Sequence, residues 1–129
     1  LVSSSAASDV YKRQTDSSVK RVMRGVANKK ELTKKDMFNP WEQYYKKGIG
    51  TLAYRDTWNL FDQILVSPGL TSSDYTTYQF YKAVIFGKGY LKNSTGRYKG
   101  YPFRTYAGGS HIGGYSDHFP VYLFLIKEK

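Results

Sequence analysis

The last stretch of the chain limits what everything before it can become. Tyr122 to Ile126 carries no charge, with Val121, Leu123 and Leu125 alternating with Tyr122, Phe124 and Ile126. Both sides are apolar, the pattern expected of a strand buried on both faces inside a sandwich. Ahead of it runs Gly113-Gly114-Tyr115-Ser116-Asp117-His118-Phe119-Pro120, a Gly-rich turn that delivers Ser-Asp-His to the mouth of that strand. Side chains at a strand end are held by the core yet face solvent, so chemistry tends to sit there.

Asp117 and His118 are adjacent, so on an extended backbone they point to opposite sides and each must find its own partner. A carboxylate can ligate a hard cation or orient water, and an imidazole can move a proton or donate to a phosphate near neutral pH. The plain alternative is a surface Asp-His turn with Pro120 opening the strand. Asp62 raises the same question, because it falls in an otherwise apolar run with Leu60, Ile64 and Val66 expected on its own face. A buried lone carboxylate is expensive and needs a partner. Two are available. His118 would have its tautomer fixed by the pairing, leaving the other ring nitrogen for a substrate. Arg55 would make an ordinary ion pair.

Ser116-Asp117-His118-Phe119-Pro120-Val121 leading into a terminal apolar strand resembles the closing motif of the endonuclease/exonuclease/phosphatase superfamily. Arg55-Asp56-Thr57-Trp58-Asn59-Leu60-Phe61-Asp62-Gln63-Ile64-Leu65-Val66-Ser67 is similar to the family's penultimate motif, a strand carrying an Asp followed by an apolar pair and a Ser. The two occur in the family's order. The resemblance implies an α+β chain, the C-terminal part of a four-layer α/β sandwich with a mixed, largely antiparallel sheet and flanking helices. It implies a metal-dependent phosphoester hydrolase, a nuclease or phosphodiesterase among the options, using magnesium or manganese. His118 would be base or phosphate donor, Asp62 would orient it, and Asp117 would help bind the metal or place the attacking water. It favours His118 over Arg55 as the partner of Asp62. The family's early Asn, metal-binding Glu, middle His or Tyr and Asp-x-Asn pair have no counterpart here. Most metal ligands are therefore expected outside these residues, and the chain is expected to be inactive alone.

The opening residues look foreign to such a protein. Ser4 to Gln14 back-translates into a string resembling a transposase adapter used in sequencing libraries, and the chain lacks an initiating Met. Residues 1–14 are accordingly expected to be an adapter-like or disordered tail outside the folded body. The natural N-terminus, and with it any signal peptide, is expected to lie elsewhere. Residues 15–129 then form one domain's length of chain. The full sequence has a net charge of +10, and +9 remains once Asp9, Lys12 and Arg13 are set aside. A body this basic suits an anionic partner, whether nucleic acid, a small phosphoester or an acidic lipid surface. Much of that charge lies in Lys20, Arg21, Arg24, Lys29, Lys30, Lys34 and Lys35, which also fits a solvated helix and loop. The absence of cysteine excludes a disulfide framework and a zinc-thiolate site. No apolar run approaches membrane-spanning length.

Along the chain, Asp16-Ser17-Ser18 caps a helix whose apolar positions are Val19, Val22, Met23 and Val26. Asn39-Pro40 starts a second short helix that stops at Gly48. Ile49 to Arg55 and Trp58 to Ser67 form a hairpin turning at Asp56-Thr57, and Gln79 to Phe86 is a strand by its aromatic and β-branched content. Residues 87–114 interleave Tyr90, Tyr98, Tyr101, Phe103 and Tyr106 with Lys92, Arg97, Lys99 and Arg104. That interleaving suits stacking and phosphate contact, with Arg97, Lys99 and Arg104 as candidate substrate-binding residues. A long loop packing its own rings is the other reading. A basic, aromatic-rich binding module for nucleic acid or glycan, with no catalysis, stays open beside the hydrolase.

One geometric expectation separates these readings. Asp62 and His118 should approach to hydrogen-bond distance on neighbouring strands of one sheet, with Asp117 turned away into the open site.

Overall fold

The computed structural model describes the backbone of Ser3–Ser4 and residues 18–129. Its strands are short: β1 (Ser3–Ser4), β2 (Gly25–Val26) and β3 (Met37–Phe38) precede the helix α1 (Glu42–Lys46). After it come β4 (Leu52–Tyr54), β5 (Thr57–Asn59), β6 (Ile64–Leu65), β7 (Gln79–Ile85), β8 (Tyr106–Ala107), β9 (Ser110–His111) and β10 (Val121–Ile126). Together with a few helical turns this is an α+β chain.

The most extensive pairing is antiparallel, β10 on β7, with Val121 opposite Ile85 and Leu123 opposite Ala83, and an irregularity between Phe124 and Leu125. Under this ribbon sits the core of Phe38, Trp41, Leu60, Val66, Phe80 and Ala83. Trp41 is fully buried, and its indole N–H donates to the Ile64 carbonyl at 3.0 Å. Tyr44, on α1, donates its hydroxyl to the Ala83 carbonyl at 2.6 Å. The helix is therefore tied to both sides of the core by aromatic side chains whose polar ends are satisfied. Its start lies later than the expected Asn39 cap with Pro40 as first helical residue: Trp41 is the N-cap and makes no side-chain cap hydrogen bond, while the Asn39 carboxamide oxygen accepts the Trp41 N–H at 3.0 Å just ahead of the helix. Its end is Gly48, at φ 70°, which lets Gly48 and Ile49 N–H return to Tyr45 and Tyr44.

β4 and β5 form the expected hairpin, one residue out of the expected register at its turn. Arg55 (φ 48°) and Asp56 (φ 60°) occupy the two central positions, both left-handed, as a two-residue hairpin turn requires. Gly50 lies just before the hairpin against the other arm. A Cβ there would stand 2.8 Å from the backbone nitrogen and carbonyl carbon of Asn59.

Several expectations are corrected. The helix expected over Val19 to Val26 is a single helical turn, Ser18–Val22, after which Gly25–Val26 is extended and pairs in parallel with Met37–Phe38. Arg24 turns left-handed (φ 49°) and Val22 is 76% exposed, so tertiary pairing overrides the apolar period. The Asp16-Ser17 cap lies outside the described residues. The strand expected from Trp58 to Ser67 is split into β5 and β6, and Asp62 falls in the irregular link between them. Its strand and the terminal strand are not sheet neighbours: β10 pairs with β7, and β6 with β1. β10 is not buried on both faces either, because Phe124, Leu125 and Ile126 are exposed and β7 is its one partner among the described residues. At the other terminus, Ser3–Ser4 pair antiparallel with Leu65 and Ile64. The rest of residues 1–14 lies outside the described residues.

Gly50 offers a direct check. Gly50→Ala should destabilise by about 1–3 kcal/mol through overpacking against Asn59 backbone that cannot move away cheaply. Gly69→Ala, with open space around its Cα, should change the thermal midpoint far less. Equal midpoints for the two variants in a thermal melt would contradict the close approach.

Candidate active site

His118 and Asp62 arrive from different directions and are fixed by backbone. Phe119 is buried, and its N–H donates to the Thr51 carbonyl at 2.8 Å, while the Thr51 N–H donates to the Asn59 carbonyl at 2.8 Å. One residue, Thr51, thus pins the segment that carries His118 to the hairpin that leads into Asp62. Phe119 turns inward and stacks on Trp58, with ring centroids 6.0 Å apart. The Ser116 hydroxyl accepts the His118 N–H at 3.1 Å, which shapes the turn ahead of the ring. Upstream, Gly114 and Tyr115 N–H donate to the Arg104 and Phe103 carbonyls, a contact so close that a side chain at 114 would clash.

The result is one short contact. His118 Nδ1 and Asp62 Oδ2 are 2.7 Å apart, the separation expected for a base and its orienting carboxylate. Phe61 stacks on the imidazole with centroids 6.0 Å apart and planes 23° from parallel. The ring is therefore held on one nitrogen and one face. Nε2 has no hydrogen-bond partner among the described residues. Arg55, the competing partner for Asp62, does not reach it; its guanidinium lies over the Tyr54 ring, 5.3 Å from the centroid.

The pair favours its charged form. The hydrogen bond to Asp62 raises the His118 pKa above its ordinary value, against an opposing effect of burial, and the negative charges of Asp62 and Asp117 add to the rise while Arg104 works against it. For Asp62 the largest effect is burial, which pushes its carboxyl up. The hydrogen bond from His118, the nearby Thr51 hydroxyl and the His118 charge outweigh it, and the net is a lowered pKa. The Thr51 hydroxyl is buried and completes no well-formed hydrogen bond.

Asp117 is exposed and makes no salt bridge among the described residues. Those residues contain no group of three or more His, Cys, Asp or Glu side chains placed to hold a metal ion. Asp117 offers a single hard oxygen donor, which does not make a metal site. Of the expected substrate-binding residues, Arg97 and Arg104 line a common cavity of about 360 Å³, while exposed Lys99 stands off its wall. Two neighbours of the pair went unnoticed in the sequence. Phe61 was visible only as an apolar residue beside Asp62, and nothing local marked Thr51. The early basic run, by contrast, is partly structural: Arg24 binds Asp36 at 2.8 Å, Lys20 reaches Glu42 at 3.6 Å, and Lys29 sits over the Phe38 and Phe80 rings.

A family model described as the endonuclease/exonuclease/phosphatase family matches residues 6–127 of the chain. The matched span takes in most of the tail that the codon reading sets aside. Neither a curated protein nor a solved structure matches the chain. Among the described residues no helix is long and apolar enough to cross a membrane.

The His118–Asp62 contact has a signature in titration. Following the His118 ring protons by NMR, Asp62→Asn should lower the His118 pKa, because it removes the hydrogen-bonded charge that raises it. The contribution of His118 to stability is fully present below the unfolded-state pKa of about 6.5 and is lost as pH rises through the higher folded value. That of Asp62, whose folded pKa is depressed, is present above about 3.9 and lost as pH falls through the folded value. The stability difference between wild type and Asp62→Asn should accordingly be largest between those limits. An unchanged His118 titration in the variant would remove the pairing.

Proposed function

This chain belongs to the endonuclease/exonuclease/phosphatase family, and from that premise we propose that it carries the proton-handling end of a phosphoester hydrolase site. The family is one of metal-dependent hydrolases of the nuclease and phosphatase type. The observation that carries the proposal is the 2.7 Å contact of His118 Nδ1 with Asp62, which leaves Nε2 as the reactive nitrogen. With its proton on Nδ1, the neutral ring presents Nε2 as an acceptor for a proton of the attacking water. Charged, it presents an N–H to a phosphate oxygen. Asp62 holds the ring and supports the imidazolium, while Asp117, exposed and without a salt bridge among the described residues, can orient water or contribute one oxygen to a divalent metal. That last role rests on the family alone, since the described residues compose no metal site, and magnesium or manganese is the ion the family reading implies. A metal supplies charge neutralisation at the phosphate when bound.

The same proposal takes the chain as the C-terminal part of a four-layer sandwich, with the remaining metal ligands on segments outside residues 15–129 and with residues 1–14 derived from an adapter. The alternative, a basic and aromatic binding module without chemistry, draws on the cavity between Arg97 and Arg104. Turnover separates the two. In a chain extended upstream through its reading frame, His118→Ala should reduce phosphodiester hydrolysis by roughly 10²–10⁴-fold, the usual range for a lost general acid or base. Asp62→Ala should lower it less, with little change in thermal midpoint. The present 129 residues alone should show no magnesium-dependent hydrolysis above their own His118→Ala control. An extended protein indifferent to His118 would overturn the catalytic assignment.

A further inference from the structure

The cavity between Arg97 and Arg104 has an unusual balance of charge. Arg55, Arg97 and Arg104 all stand on its wall, and none forms a salt bridge with a carboxylate of the described residues. The single acid on that wall, Asp56, accepts the Tyr101 hydroxyl at 2.6 Å. Three guanidinium groups gathered around one hollow repel one another, and an anion in the hollow relieves that repulsion.

Aromatic faces accompany the cations. Tyr54, Tyr98 and Tyr101 share the wall, with the Arg97 guanidinium 5.8 Å from the centre of the Tyr98 ring. From the cavity a row of rings runs Tyr98 to Tyr101 (5.7 Å), Tyr101 to Trp58 (5.6 Å) and Trp58 to Phe119 (6.0 Å), ending next to His118. Arg104 acts electrostatically on His118. Through Arg104 the charge of the cavity wall is felt at the imidazole, and the row of rings links the wall to the residue that follows His118. A further sign lies in the backbone. Arg55 holds a left-handed conformation that Asn or Gly adopts more cheaply, and such strain at a bulky residue points to a use for the side chain.

We propose that this cavity is a nucleotide subsite, taking a phosphate and base of a single-stranded polynucleotide adjacent to the phosphate presented to His118. The arginines hold backbone phosphate, and the tyrosines stack on the base. A small phosphomonoester would use the cations and leave the rings idle, so the combination favours the polymer. The inference rests on the phosphoester reading for the reacting group, but its binding step is measured separately.

The test is fluorescence anisotropy of a labelled oligothymidylate of about ten nucleotides, in chelator to prevent cleavage. The wild-type 129-residue chain should bind it with marked salt dependence. Arg97→Gln should weaken binding about five-fold or more and reduce the log–log salt slope by about one. Tyr98→Leu should weaken it by a similar factor with the slope unchanged. Lys99→Gln removes the same charge from off the wall and should change affinity less than about two-fold. Arg55→Asn should bind several-fold more weakly while melting at the same or a higher temperature, which separates the subsite from a folding defect. If Lys99→Gln and Arg97→Gln are equivalent, the surface is merely basic and the subsite falls. If Tyr98→Leu has no effect and inorganic triphosphate competes as well as the oligonucleotide, the cavity is an anion site and the nucleotide assignment falls. Binding with these variant effects, in a protein whose extended form shows no His118-dependent turnover, would leave the subsite standing and remove the hydrolase.

Discussion

A single backbone hydrogen bond, Phe119 N–H to the Thr51 carbonyl, holds the two halves of the site in register. Without it nothing in the sheet pairing would bring Asp62 and His118 together, since β10 pairs with β7 and the link carrying Asp62 belongs to neither. The bond depends in turn on Gly50, whose missing side chain lets the hairpin arms close, and on Phe119, whose burial against Trp58 keeps the terminal segment down. A catalytic constellation needs this kind of support because small displacements of an oriented base are costly. Here the support is mostly main chain and aromatic packing.

Positive charge is divided by position. Near the N-terminal end of the described residues, Lys20, Arg24 and Lys29 are engaged by acids, aromatic faces or carbonyl oxygen, so they hold the chain rather than attract a ligand. Asp36, bound by the Thr33 hydroxyl and by Arg24, has its carboxyl held down to about 2. Around the cavity, by contrast, the arginines form no salt bridge with an acid among the described residues. Net charge alone could not distinguish these two populations, because both are written with the same letters.

That division marks what the sequence discloses. The Asp62–His118 pairing was legible because a carboxylate among apolar residues needs a partner, and the motif resemblance narrowed the choice to an imidazole. The short helix at Glu42–Lys46, the hairpin and β7 were legible from Asn39-Pro40, Gly48 and the β-branched run. The N-terminal helix was not, because pairing of Gly25–Val26 with Met37–Phe38 is a long-range choice that a local apolar period cannot register. The break in the strand at Asp62 was hidden for the same reason: the alternation of Leu60, Ile64 and Val66 is real, but the backbone between them leaves the sheet so that the carboxylate can turn to His118. Arg97 and Lys99 carry the same charge two residues apart, and only the path of the loop puts the first on the cavity wall and the second outside it.

The row of rings from Tyr98 to Phe119 has an optical consequence. The chain has two tryptophans, and they occupy unlike surroundings: Trp41 is sealed in the core, while Trp58 lies between Tyr101 of the cavity and Phe119 beside His118. Emission from Trp41 therefore reports the integrity of the packed interior. Emission from Trp58 reports the interval between the cavity and the imidazole, with neighbouring tyrosines able to transfer excitation into it. The protein carries its own pair of probes, one for the fold and one for the site, and quenching by a soluble collider tells them apart.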